Sequence, residues 1–107
     1  MTFRNQFAED IFNLKYRHEG CETWASLAAT LVHEVCDGLM SATEVDQLVY
    51  YMTEMKFIPG GRYLWYAGRD VKYYNNCFLL KAENDNREDW AMLANKATSA
   101  LMSGGGI

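Results

Sequence analysis

Apolar residues recur at helical spacing through the first half of the chain, and the texture then changes. Phe3, Phe7, Ile11 and Leu14 share one side of a helical period, which predicts an amphipathic helix from about Phe3 to Tyr16 that loosens in the segment RHEG. Thr23 is placed to cap a second helix, since its hydroxyl can accept from the backbone N–H groups that a helix start leaves unpaired. The apolar face of that helix is Trp24, Leu27, Ala28, Leu31, Val32, Val35 and Leu39. Ser41 followed by Glu44 has capping-box spacing, and the helix it opens carries Val45, Leu48, Val49 and Met52 before Pro59 and two glycines end the pattern.

In FIPGGRYLWYAG, Pro-Gly-Gly is a turn signal and the aromatic residues after it suit a strand or a buried loop. Tyr73 to Lys81 is a short apolar run with polar flanks, which predicts a strand buried on both faces. Asp85 with Glu88 gives another cap, and Trp90, Leu93, Ala94, Ala97 and Leu101 then predict a helix to Met102. The chain thus divides into a helical region, 1–56, and a region 57–107 that reads as the opening of an α/β unit. A single strand cannot satisfy its own backbone groups, so this one needs neighbours, and Tyr63 to Tyr66 is the candidate the chain offers.

Composition narrows the class. A chain of 107 residues, half of them hydrophobic and 14% aromatic with one proline, is a folded domain or a piece of a larger one, not a disordered segment. Net charge is −4 and the ten Lys and Arg are scattered, so no nucleic-acid partner is expected. Neither a secretory leader nor a membrane-length apolar run is legible, which makes the cytoplasm the expected location and leaves no role for a membrane. Three cysteines, an odd number, form no disulfide framework, and each is buried, metal-bound or reactive. His18 and Cys21 are three apart and His33 and Cys36 repeat the spacing, which could assemble a zinc site. The usual close Cys-Cys pair is missing and Cys36 borders an apolar face, so no metal site is expected.

Two stretches carry candidate chemistry. In YYNNCFLL, Cys77 sits between Asn75-Asn76 and a hydrophobic run, either as an inert buried thiol or as a reactive one whose polar neighbours orient a substrate. In LMSGGGI, Ser103-Gly104-Gly105-Gly106 is either a helix C-cap, a loose terminus, or a backbone that lets a ligand approach closely. It is not a phosphate-loop motif, because the trailing Lys and Ser or Thr are missing.

The segments FIPGGRYLWYAGR, YYNNCFLL, REDW and LMSGGGI, in this order and at this spacing, resemble the N-terminal part of the catalytic chain of ribonucleotide reductases. The likeness is nearest to the adenosylcobalamin-dependent, class II enzymes of the ribonucleoside-triphosphate type. FAEDIFNLKY with ETW is similar to the helical start of that group, so the resemblance spans essentially the whole chain. It implies an N-terminal helical region followed by the first strand and helix of a ten-stranded α/β barrel, incomplete by itself. Cys77 would be one of two cysteines that reduce the ribose, pairing with a partner thiol far along a complete chain. Asn76 would line the ribose and phosphate pocket, Gly104, Gly105 and Gly106 would contact the substrate, and Ser103 would end the preceding helix. Arg62 is a phosphate or carboxylate partner on charge grounds, or else a surface salt-bridge residue. The implied partners are the remainder of the reductase chain, a ribonucleotide and a thioredoxin-like reductant, with adenosylcobalamin held mainly by that remainder. The radical-forming cysteine belongs to later sequence, so the chain alone is expected to be inactive. It reads as an N-terminal fragment or split-gene product; the alternative is a noncatalytic helical assembly or nucleotide-binding module.

Overall fold

Short polar side chains start most of the helices. The computed structural model describes residues 3–107 and divides into two compact units, one running to Lys72 and the other from Tyr73 to Ile107. In the first unit, Asn5 caps α1 (Gln6–Ile11) by accepting from Ala8 N–H. Thr23 caps α2 (Trp24–Cys36) through Ser26 N–H, and Ser41 caps α3 (Ala42–Thr53) through Glu44 N–H. These are the hydroxyl caps that the sequence predicts.

Helix α1 runs directly into a π-helical turn, Phe12–Tyr16, closed by an Arg17 N–H bond to the Phe12 carbonyl. The wider turn changes the phase of the helix, so that Phe12 turns inward while Phe7 and Leu14, on the expected apolar stripe, are 73% and 87% exposed. Phe12 meets Trp24 edge-on at 6.1 Å, and Phe3 lies 5.5 Å from Phe12. Trp24 also donates its indole N–H to the Met52 carbonyl, which ties the start of α2 to the end of α3. Because the other ends are joined by the short turn at Gly38, where φ is +82°, the two helices form an antiparallel hairpin. Leu27, Ala28, Leu31 and Val32 of α2 and Val45 and Met52 of α3 supply most of its buried interior.

The aromatic stretch after Pro59 is a helix, not the strand or buried loop its composition suggests. Gly60 accepts from Tyr63 and Leu64 N–H to start α4 (Gly61–Tyr66), whose Leu64 is buried against the core together with Ala67 beyond it. Burying one side of a short helix satisfies its amides locally, whereas a strand there would lack a partner.

The predicted strand at Tyr73 to Lys81 is likewise overturned. No β-strand occurs among the described residues, and this segment carries one isolated parallel bridge, Cys77 to Gly106. A strand needs a ladder of partners along its length, and here the neighbouring backbone provides two bonds. The fold is therefore helical, which contradicts the expectation of an α/β opening with the first strand and helix of a ten-stranded barrel. The second unit consists of that irregular segment, helix α5 (Arg87–Met102) and the glycine turn after it. No helix among the described residues is long and apolar enough to cross a membrane.

Candidate functional site

The second unit brings the two candidate stretches together. Asn86, one residue after the expected Asp85, caps α5 by accepting from Asp89 N–H at 2.8 Å, while Asp85 accepts from the Trp90 indole. The helix ends at Met102 as its pattern predicts. Gly104 N–H then donates to the Leu101 carbonyl and Gly105 N–H to the Ala100 carbonyl, the paired bonds of a Schellman cap, with Gly104 in the left-handed region at φ +79°. This is the helix C-cap among the alternatives the glycine run allows. Ser103 is bound into the same cap, donating its hydroxyl to the Ala100 and Ser99 carbonyls.

Past the cap the backbone comes alongside YYNNCFLL. Gly106 N–H donates to the Asn76 carbonyl at 2.7 Å, and Phe78 N–H donates to the Gly106 carbonyl at 2.8 Å. The two bonds straddle Cys77. A Cβ placed on Gly106 would lie 3.3 Å from Cys77 Sγ, so the thiol sits directly over a backbone position that has no side chain. Cys77 is exposed, unlike Cys21 and Cys36, which are buried in the first unit.

The three glycines serve different ends. Gly104 supplies a conformation that L side chains rarely adopt, and Gly105 is buried where an added Cβ would come within 2.5 Å of the Phe78 ring and 3.1 Å of the Ala100 carbonyl. Gly106 faces the thiol. All three glycine N–H groups have backbone acceptors, so the segment presents no nest of free donors for phosphate. Asn76, the residue before Cys77, is exposed and meets Gly106 through its backbone carbonyl.

Cys77, Asn76, Ser103, Gly104, Gly105 and Gly106 thus occupy one neighbourhood. Arg62 lies half-buried on α4 in the first unit. Phe78, which packs on Gly105, is the residue sequence reasoning passed over. Its only signal was its position after the cysteine in an apolar run.

The zinc pattern does not assemble: the described residues contain no cluster of three or more metal-ligating side chains. The His18 ring nitrogens contact the Glu19 carbonyl at 2.8 Å and the Ala67 carbonyl at 2.7 Å, so the imidazole ties the RHEG loop to the residue after α4. His33 instead pairs with Asp37, one turn along, at 3.0 Å.

Adenosylcobalamin needs a broad cavity with polar partners for its amide-bearing rim. An apolar hollow of the first unit, about 510 Å³, is lined by side chains such as Leu31, Val35, Met52, Phe57 and Ile58 and has almost no polar wall.

Comparison of the chain with protein-family models, curated proteins and solved structures gives no match.

Proposed function

We propose that the unit from Tyr73 to Ile107 is a nucleotide-binding module, without turnover by itself, that presents the Cys77 thiol to a ribonucleotide across Gly106. The observation that carries this reading is the juxtaposition of an exposed thiol and a side-chain-free backbone position, with Sγ 3.3 Å from the Cβ that Gly106 lacks. The missing side chain lets Sγ rest against the Gly106 backbone, and the exposed thiol leaves its outer side open to the ribose of a bound nucleotide.

At its finer level the proposal follows the resemblance to ribonucleotide reductases. The chain supplies one thiol of a dithiol, and the remainder of a reductase chain supplies the other together with the radical-forming cysteine. The dithiol is oxidised to a disulfide as the 2′ C–O bond breaks, the hydroxyl leaves as water and a C–H bond replaces it. A thioredoxin-like protein returns the disulfide to the dithiol. The part played by this chain's residues is to hold the thiol in place, where position matters more than nucleophilicity.

The test is deoxyribonucleotide formation from a ribonucleoside triphosphate, with adenosylcobalamin and a dithiol reductant, by the chain combined with the C-terminal remainder of a class II catalytic chain. Turnover that disappears in Cys77→Ser while nucleotide binding persists supports the reductase reading. Turnover unchanged by that substitution removes Cys77 from the chemistry.

The helical architecture favours a second, noncatalytic reading, a helical assembly module. Phe7, Ile11 and Leu14 leave an apolar stripe exposed on the first helix and its π turn. Sedimentation that reports a monomer at all concentrations, unaltered by Leu14→Glu, removes self-assembly from that reading.

A further inference from the structure

We propose that Phe78 is the positioning residue of the thiol–glycine site, holding Cys77 against Gly106 through its ring and its backbone at once. The inference rests on the nucleotide-binding reading for its purpose, but its geometry stands in the free protein. The Phe78 ring occupies the space that a side chain at Gly105 would need, since a Cβ there would fall 2.5 Å from Cε2 and 2.9 Å from Cδ2. Gly105 has no left-handed backbone to explain its lack of a side chain. The ring is the explanation, with the Ala100 carbonyl closing the other side.

Gly105 is in turn fixed to the end of α5 by its N–H bond to Ala100. The ring therefore anchors the irregular segment to the helix terminus one residue before the backbone bridge. Phe78 also lines an apolar groove with Leu93 and Ala97 of α5. Its N–H then donates to the Gly106 carbonyl, and the Asn76 carbonyl takes the Gly106 N–H from the other side of Cys77. Two backbone bonds in exposed surroundings are weak by themselves. The packed ring sets their register, and with it the place of the thiol.

The experiment reads that register without any ligand. In the full chain, Gly106→Cys places a second thiol opposite Cys77 at a separation suited to a disulfide. Oxidised glutathione accepts the electrons and protons of both thiols as the bond closes, and the rate of closure is followed by mass spectrometry. Adding Phe78→Ala is expected to slow closure several-fold, with α5 amide exchange unchanged, and Phe78→Leu is expected to restore most of the rate. In the chain without the added cysteine, Gly105→Ala, whose methyl displaces the ring, is expected to lose protection of the Gly106 amide. An unchanged closure rate in Phe78→Ala overturns the proposal, as does a slowing matched by loss of α5 protection. Failure of nucleotide binding would remove the purpose of the site and leave these rates as they are.

Discussion

At the scale of single residues, the site depends on what is missing from two backbone positions. Gly104 takes φ +79° to end α5, so Gly104→Ala imposes a left-handed conformation on a residue with a Cβ and is expected to cost about 1–2 kcal/mol in urea unfolding of the second unit. Gly106→Ala keeps the helix cap but sets a methyl 3.3 Å from Cys77 Sγ. It is expected to slow alkylation of Cys77, measured by iodoacetamide labelling, while Cys21 and Cys36 stay protected by burial; equal rates in wild type and variant would contradict the juxtaposition. Lys56 offers a pH-dependent check away from the site. Its ammonium donates to the Tyr50 hydroxyl at 3.1 Å and lies 4.7 Å from the ring centroid, and this hydrogen bond first, then the tyrosine's charge, raises its pKa above the ordinary 10.5. A raised folded pKa contributes stability that is complete below the ordinary lysine value and is lost as pH rises through the raised one. Tyr50→Phe is expected to bring the Lys56 titration, followed by NMR, back toward 10.5.

At the scale of elements, the capped helices α2, α3 and α5 are legible in the sequence, whereas α4 and the unpaired state of the apparent strand are not. Thr23 and Ser41 cap where the pattern puts them because a cap is a local transaction between a hydroxyl and an N–H three residues on. Thr23→Ala and Ser41→Ala are each expected to cost about 1 kcal/mol in thermal unfolding. The apolar run through Cys77 looked like a strand because its residues suit one, yet a strand is defined by partners, and backbone pairing is a long-range property that composition does not carry. Tyr63 to Tyr66 failed as the partner because Gly60 starts a helix there and burial of Leu64 rewards it. The phase of the first helix was misread for a different reason, an extra residue in the π turn that no periodicity announces. Of the candidate site, Cys77 and the glycines could be picked out by type, while the Phe78 ring contact that explains Gly105 could not.

At the scale of the molecule, a helical unit with its own core accompanies a smaller unit that carries the candidate chemistry. Leu27 is fully buried between the helices of the hairpin, so Leu27→Ala is expected to destabilise the first unit by about 2–5 kcal/mol. Leu79, fully exposed in the second unit, is expected to tolerate alanine within about 0.5 kcal/mol. The central claim is that the second unit receives a nucleotide where the thiol faces Gly106. The measurement that tests it most directly is an NMR titration of the chain with a ribonucleoside triphosphate, following every backbone amide. The account predicts saturable shifts centred on Asn76, Cys77 and Gly106, preserved in Cys77→Ser and lost when a bulky valine replaces Gly106. Shifts that fail to saturate, or that fall elsewhere and leave these amides unmoved, would contradict it.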